Sequence, residues 1–171
     1  MNVRPAILII ENQKVLTMQY RYGEQDVYNL PGGNLELFER MAETLERELE
    51  EELNLSVEVD KMLMIGEVIF EKQQKSTLHA IFEGKIKAGS PVLNPKETSA
   101  KAIVWLPLAD LQAYNMYPNV ADAILKLQGE GLESPYLGRI PQEWFWFLFE
   151  SQGRLFNQFP REPSNEKYDT V

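Results

Sequence analysis

Two early runs, RPAILII (residues 4–10) and KVLTMQYRY (14–22), are rich in apolar and β-favouring residues and flank the turn-like ENQ. Together they predict a β-hairpin. A short strand follows around VYNL, and VEVDKMLMIGEVIF (57–70), STLHAIFEGKI (76–86) and AIVWLP (102–107) read as further strands. Between them lies PGGNLELFERMAETLERELEEELNL (31–55), whose periodicity is helical. Pro118 and Asn119 open a second expected helix running to about Gln128, with Gly129 and Gly131 ending it. The order of elements predicts a mixed sheet with helices on its faces.

The first helix is laid out at about 100° per residue, which follows from its 3.6-residue turn. Met41, Ala42, Leu45, Leu49 and Leu53 share one stripe, the face expected to pack on the sheet. Glu39, Glu43, Glu46 and Glu50 fall on the opposite side and read as solvated. Glu48, Glu51 and Glu52 share a third arc along one edge of the apolar stripe, because spacings of three and four bring side chains together.

That arc sits at the wrong end of the helix. The macrodipole is negative at the C-terminus, so each carboxylate there costs a few tenths to about 1 kcal/mol before mutual repulsion. Converging carboxylates beside a buried face call for a cation, and hard Mg²⁺ or Mn²⁺ suits an all-oxygen site. The alternative is a plain solvated acidic face.

Composition narrows the partners. With 171 residues, 44% apolar and 25% charged, the chain suits one globular domain with some decoration. A net charge of −9 argues against a nucleic-acid polymer or an anionic membrane surface as partner, since both demand clustered Lys and Arg. Without cysteine there are no disulfides, thiolate catalysis or Cys-ligated zinc, and the cytoplasm is the expected location. The apolar runs at the N-terminus and at WFWFLF (144–149) are too short to span a bilayer. Residues 1–130 read as the domain, and 131–171 as an appendage whose aromatic run packs on the body or on a partner subunit, as in a homodimer. Substrate stacking by that run is the less favoured alternative.

Gly33, five residues, Glu39, seven residues, then Arg47-Glu48-Leu49-Glu50-Glu51-Glu52-Leu53-Asn54-Leu55 closely resembles the Nudix box, G-x5-E-x7-R-E-U-x-E-E-x-G-U with U apolar. The flanks are similar too: the hairpin, Pro31 and Gly32 before the box, and WLPL (105–108), so the resemblance spans roughly residues 3–128. Asn54 stands where the family has Gly, and Asn is the commonest substitute in a left-handed helix end. Phe38 is a second departure, at a position often small in the family.

The resemblance implies an α/β (α+β) fold, the Nudix α/β/α sandwich with a mixed central sheet. It also implies metal-dependent hydrolysis of a nucleoside diphosphate linked to another moiety, with Mg²⁺ or Mn²⁺ on Glu48, Glu51 and Glu52. Water would attack phosphorus, the metal neutralising pyrophosphate oxygens and acidifying the water. Glu39 is expected to hold the loop. Arg47 is expected to orient a carboxylate, with a surface ion pair as the alternative.

Gly32 and Gly33 permit a tight loop beside the metal. The general base is open: Glu97, in the turn-rich NPKETSA, is as readily an auxiliary acid as a solvated residue. Arg4, Tyr20, Arg21, Tyr22 and Tyr28, near strand ends leading to the box, are candidates for phosphate pairing or base stacking, with packing or exposure as the alternative for each. His79, the only histidine, reads as a core or hydrogen-bonded residue, not a member of a nucleophilic triad. Two other functions compete: a non-catalytic nucleotide-binding regulatory module, and an assembly protein built around the aromatic segment. The leaving group is not legible.

Overall fold

A computed structural model of the chain describes residues 1–142. Nine strands and two α-helices follow in order: β1 (Asn2–Leu8), β2 (Ile10–Glu11), β3 (Lys14–Tyr22), β4 (Gln25–Asn29), α1 (Met41–Leu53), β5 (Ser56–Phe70), β6 (Lys75–Ala88), β7 (Ala102–Pro107), β8 (Met116–Tyr117), α2 (Ala121–Gln128) and β9 (Tyr136–Arg139). One sheet has the order β1-β6-β5-β9, and the other β2-β3-β4-β8 with β7 on the free side of β3. Both mix parallel and antiparallel pairs, as expected of this α+β class.

The expected hairpin of residues 4–10 with 14–22 forms only at its tip. Asn12 and Gln13, both left-handed, turn β2 onto the start of β3, while β1 leaves to run parallel with β6 in the other sheet. The cause lies in the burial of the first run. Ala6 and Leu8 enter one core cluster, and Ile7 and Ile9 enter the other. A segment apolar on both faces belongs inside a layered fold, whereas a hairpin with one solvated face alternates. Pro5 is tolerated because β1 is an outer strand, where one edge carries no ladder.

The two clusters define the layers. Leu45, Leu49 and Leu53 of α1 pack with Ile7, Ile9, Leu16, Met18, Leu55 and Val57. Ala121 and Ile124 of α2 join Leu8, Val15, Met64, Ile81 and Leu106 on the other side. The second helix begins later than expected: Pro118 and Asn119 precede its N-cap, Val120. Within the expected appendage, β9 joins the edge of β5, whereas the aromatic run 144–149 lies outside the described residues. No described helix is long and apolar enough to cross a membrane.

Candidate active site

The unpaired edge of β1 is covered by the loop that precedes α1. Ile7 N–H donates to Pro31 O (2.9 Å), Leu35 N–H donates to Val3 O (3.1 Å), and Arg4 Nη2 donates to Gly32 O (2.6 Å). The two glycines serve different ends. Gly32 has φ +146, and a Cβ on it would fall 2.8 Å from Ala6 Cα and collide with the Pro5 carbonyl, so it is fixed by the backbone. Gly33 has no such strain, but its Cβ would fall inside the Glu48 carboxylate. Its bare backbone is what makes room for that group.

The helix itself is anchored at both ends. Arg40 N–H donates to Glu43 Oε2 (2.8 Å) at the start. At the finish Asn54 is left-handed (φ 54, ψ 38), its N–H donates to Glu50 O, and Leu55 N–H donates to Leu49 O, a Schellman-type ending with Leu55 buried. No basic residue stands in the last turn. Its carbonyls are met from elsewhere: Val92 N–H donates to Leu53 O (3.0 Å), Asn94 N–H to Glu52 O (2.9 Å) and Asn94 Nδ2 to Glu51 O (3.0 Å). The loop before β7 is therefore the cap of α1.

Arg47 gathers three carboxylates. Its Nε and Nη2 donate to the two oxygens of Glu39 (2.8 and 3.1 Å), and Nη1 donates to Glu48 (3.0 Å) and Glu51 (3.2 Å). Glu39 lies before the helix and not on its solvated side. The helix starts only at Met41, so helical spacing does not apply to Glu39, and its carboxylate folds back to accept also from the Thr44 hydroxyl (2.6 Å) and Glu36 N–H. The guanidinium holds the Glu39 carboxyl down at about 2, with the Thr44 and backbone bonds helping, and Glu39 in turn raises Arg47 further.

Glu48 and Glu52 are the half-buried carboxylates of the arc, and Glu51 is exposed. Burial pushes Glu48 upward against the pull of Arg47. It pushes Glu52 up to about 7, opposed by a hydrogen bond from Thr98 and reinforced by the charge of Glu48. Arg4 of β1 lends positive charge to both: its field is felt at Glu48, Glu52, Tyr20, Tyr22, His79 and Tyr117. Tyr20 and Tyr22 stack with ring centroids 6.4 Å apart, and burial drives the Tyr20 phenol up to about 12. Among the described residues no three acidic or histidine side chains are arranged to close on a metal ion. The donor set is nevertheless that of a hard cation: carboxylates only, two of them desolvated and repelling each other.

Strand alternation takes two of the expected binding residues elsewhere. Arg21 is exposed on the face opposite Tyr20 and Tyr22, where it pairs with Asp26 (2.8 Å) and Gly23 O. Tyr28 turns to the α2 side and meets Tyr114 edge-on at 5.3 Å. Glu97 is exposed, and it is Thr98 beside it that reaches the box. His79 is fully buried, edge-on to Tyr117 at 5.2 Å, and among the described residues neither ring nitrogen has a hydrogen-bond partner, so of the two expected alternatives it is the core residue. Phe38 is 95% exposed at φ +68. Thr44, Asn94 and Thr98 were not singled out in the sequence, where the only signal was their place in or beside turn-forming segments. A separate groove of about 590 Å³, lined by Glu11, Lys14, Lys87, Pro91 and Trp105 among others, includes none of these residues.

A family model described as a NUDIX domain matches residues 1–127. No curated protein matches the chain in sequence. The structure is similar to the solution structure of the E. coli ORF135 protein, at 19% identity and TM-score 0.63 over 78% of this chain and 95% of that one. It is similar to an ADP-ribose pyrophosphatase from Streptococcus suis, at 20% identity and TM-score 0.57 over 81% and 97% of the two chains. A UDP-X diphosphatase matches at 20% identity and TM-score 0.62, over 79% and 66%. At such identities the structural likenesses speak for the fold.

Proposed function

From the premise that the chain belongs to the Nudix family and is a pyrophosphohydrolase, we propose that it cleaves a nucleoside diphosphate linked to a second moiety, by attack of water on phosphorus. The observation that carries this reading is the pair of half-buried carboxylates, Glu48 and Glu52, on one edge of α1 within the field of Arg4, with the bare backbone of Gly33 against Glu48. Glu48, Glu51 and Glu52 would hold Mg²⁺ or Mn²⁺. When bound, the cation neutralises pyrophosphate oxygens and lowers the pKa of a coordinated water.

The chain's own residues do the rest. Arg4, anchored on Gly32 O, offers its remaining N–H groups to a phosphate oxygen. The Tyr22 ring, at the outer end of the same strand face, offers a flat surface to a base. Arg47 fixes Glu48 and Glu51 relative to Glu39, which preserves the geometry of the acidic edge. The proton of the attacking water would pass to Glu52 or to Glu97, which is exposed on the loop that caps α1. The same reading places the enzyme in the cytoplasm and admits a homodimer, which light scattering would detect.

The test is release of phosphate or nucleotide from a panel of nucleoside diphosphate derivatives, with and without Mg²⁺, by the native protein and by a Glu51→Gln/Glu52→Gln variant. Metal-dependent turnover of one class, lost in the variant, supports the reading and names the leaving group. Binding without turnover of any member would overturn it.

A further inference from the structure

The loop capping α1 also carries a side chain into the acidic edge. Thr98 is 8% exposed, and its N–H donates to Asn94 O (3.1 Å), the same Asn94 that is bonded twice to the last turn of the helix. Its hydroxyl is hydrogen-bonded to Glu52 and to the Tyr20 hydroxyl (3.2 Å), and Ala100 N–H donates to it (3.3 Å). With Glu52 ionised, as it is above about pH 7 or with a cation bound, the carboxylate only accepts, so the single Thr98 proton then points at Glu52 and Tyr20 gives its own proton to Thr98. Every hydrogen-bonding position of that hydroxyl is then used.

The kind of donor matters as much as its place. Glu39, Glu48 and Glu51 are all held by the Arg47 cation, whereas among the described residues Glu52 takes part in no ion pair. A neutral hydroxyl fixes the direction of a carboxylate without discharging it, so its negative charge stays available to a cation or a proton. We infer that Thr98 is a positioning residue: through the chain Tyr20 to Thr98 to Glu52 it holds the Glu52 carboxylate in its working direction. The inference rests on the proposed role of Glu52 as a ligand of the divalent cation.

The test compares Thr98→Val, which keeps the shape and removes the hydroxyl, with Thr98→Ser, which restores it, and with Tyr20→Phe. Mn²⁺ binding to the substrate-free proteins is read by electron paramagnetic resonance, alongside kcat and KM and a thermal melt in EDTA. Loss of an outer partner typically weakens metal affinity or activity about 10- to 100-fold. Thr98→Val is expected to weaken Mn²⁺ binding and kcat by that order with KM little changed, Thr98→Ser to return near native values, and Tyr20→Phe to fall between. Native Mn²⁺ affinity in a folded Thr98→Val protein, or a loss that Thr98→Ser does not repair, would overturn the inference. Native protein that binds no Mn²⁺ and hydrolyses without it would instead overturn the metal reading, and the inference with it.

Discussion

Arg47 and Glu39 form a two-point bridge, Nε to Oε1 at 2.8 Å and Nη2 to Oε2 at 3.1 Å, across eight residues of chain. With side-chain exposures of only 25% and 15%, it ties the loop before α1 to the middle of the helix. Glu39→Gln should destabilise the protein by roughly 1.5–3 kcal/mol, the scale of hydrogen bonds to charged groups. The native carboxyl is depressed from 4.5 to about 2, so its contribution is present above about pH 4.5 and fades as pH falls toward 2. Urea unfolding at pH 7 and pH 3 checks both points: the variant should lose stability at pH 7 and differ less from native at pH 3. Equal differences at the two pH values would contradict this account.

Gly33 and Glu48 make a second, separable prediction. Gly33→Ala meets a flexible carboxylate end and not backbone, so the melting temperature should change by only a few degrees while Glu48 is driven from its place. Turnover should fall at least tenfold. Gly32→Ala, which meets Pro5 and Ala6 backbone at φ +146, should instead lower stability outright. Melting curves and kcat for both variants separate the cases, and a Gly33→Ala enzyme with native kcat would remove Glu48 from the reaction.

What the sequence revealed and what it concealed divide by range. The apolar stripe Leu45, Leu49 and Leu53, the arc of Glu48 and Glu52, and the left-handed Asn54 all follow from spacings within one helix, which helical geometry fixes. Glu39 is not legible in the same way, because it precedes the N-cap, Arg40, where helical spacing ends. The partition of β1 and β3 between sheets depends on β6, some seventy residues away, so local pattern could not separate a full hairpin from its tip. Arg21 and Tyr28 were grouped with Tyr20 and Tyr22 by nearness in sequence, although alternation sends them to the other face. Thr98 and Asn94 act through contacts that span more than forty residues, and no short spacing encodes those.

Buried His79 predicts an acid sensitivity in a different window. Burial lowers its pKa from 6.5 to about 3, so the unfolded chain takes up a proton below about pH 6.5 while the folded chain refuses it. Stability should therefore decline as pH falls from about 6.5 toward 3, by up to about 1.4 kcal/mol per pH unit from this group. His79→Leu should flatten that decline and raise stability at pH 7, because two buried nitrogens without a partner among the described residues are replaced by apolar surface. Denaturant titrations across pH 4–8 measure both, and an unchanged slope in the variant would show that the ring is protonated or hydrated in the native state.

Glu52 should act in the opposite sense. Burial raises its carboxyl from 4.5 to about 7, so in metal-free protein its contribution is fully present below about pH 4.5 and is lost as pH rises through 7. A divalent cation reverses the balance, since it binds the ionised form and stabilises the folded state by about 2.7 kcal/mol at a hundred times its Kd. The Mg²⁺-induced rise in melting temperature should be large at pH 8 and small at pH 5.5, where protons compete for the same oxygens. Glu52→Gln should abolish the rise at pH 8 and leave the EDTA-treated protein more stable there than the native chain. A melting curve that responds equally to Mg²⁺ at both pH values, or that still responds in the variant, would move the cation away from Glu52 and with it the charge that Thr98 is held to direct.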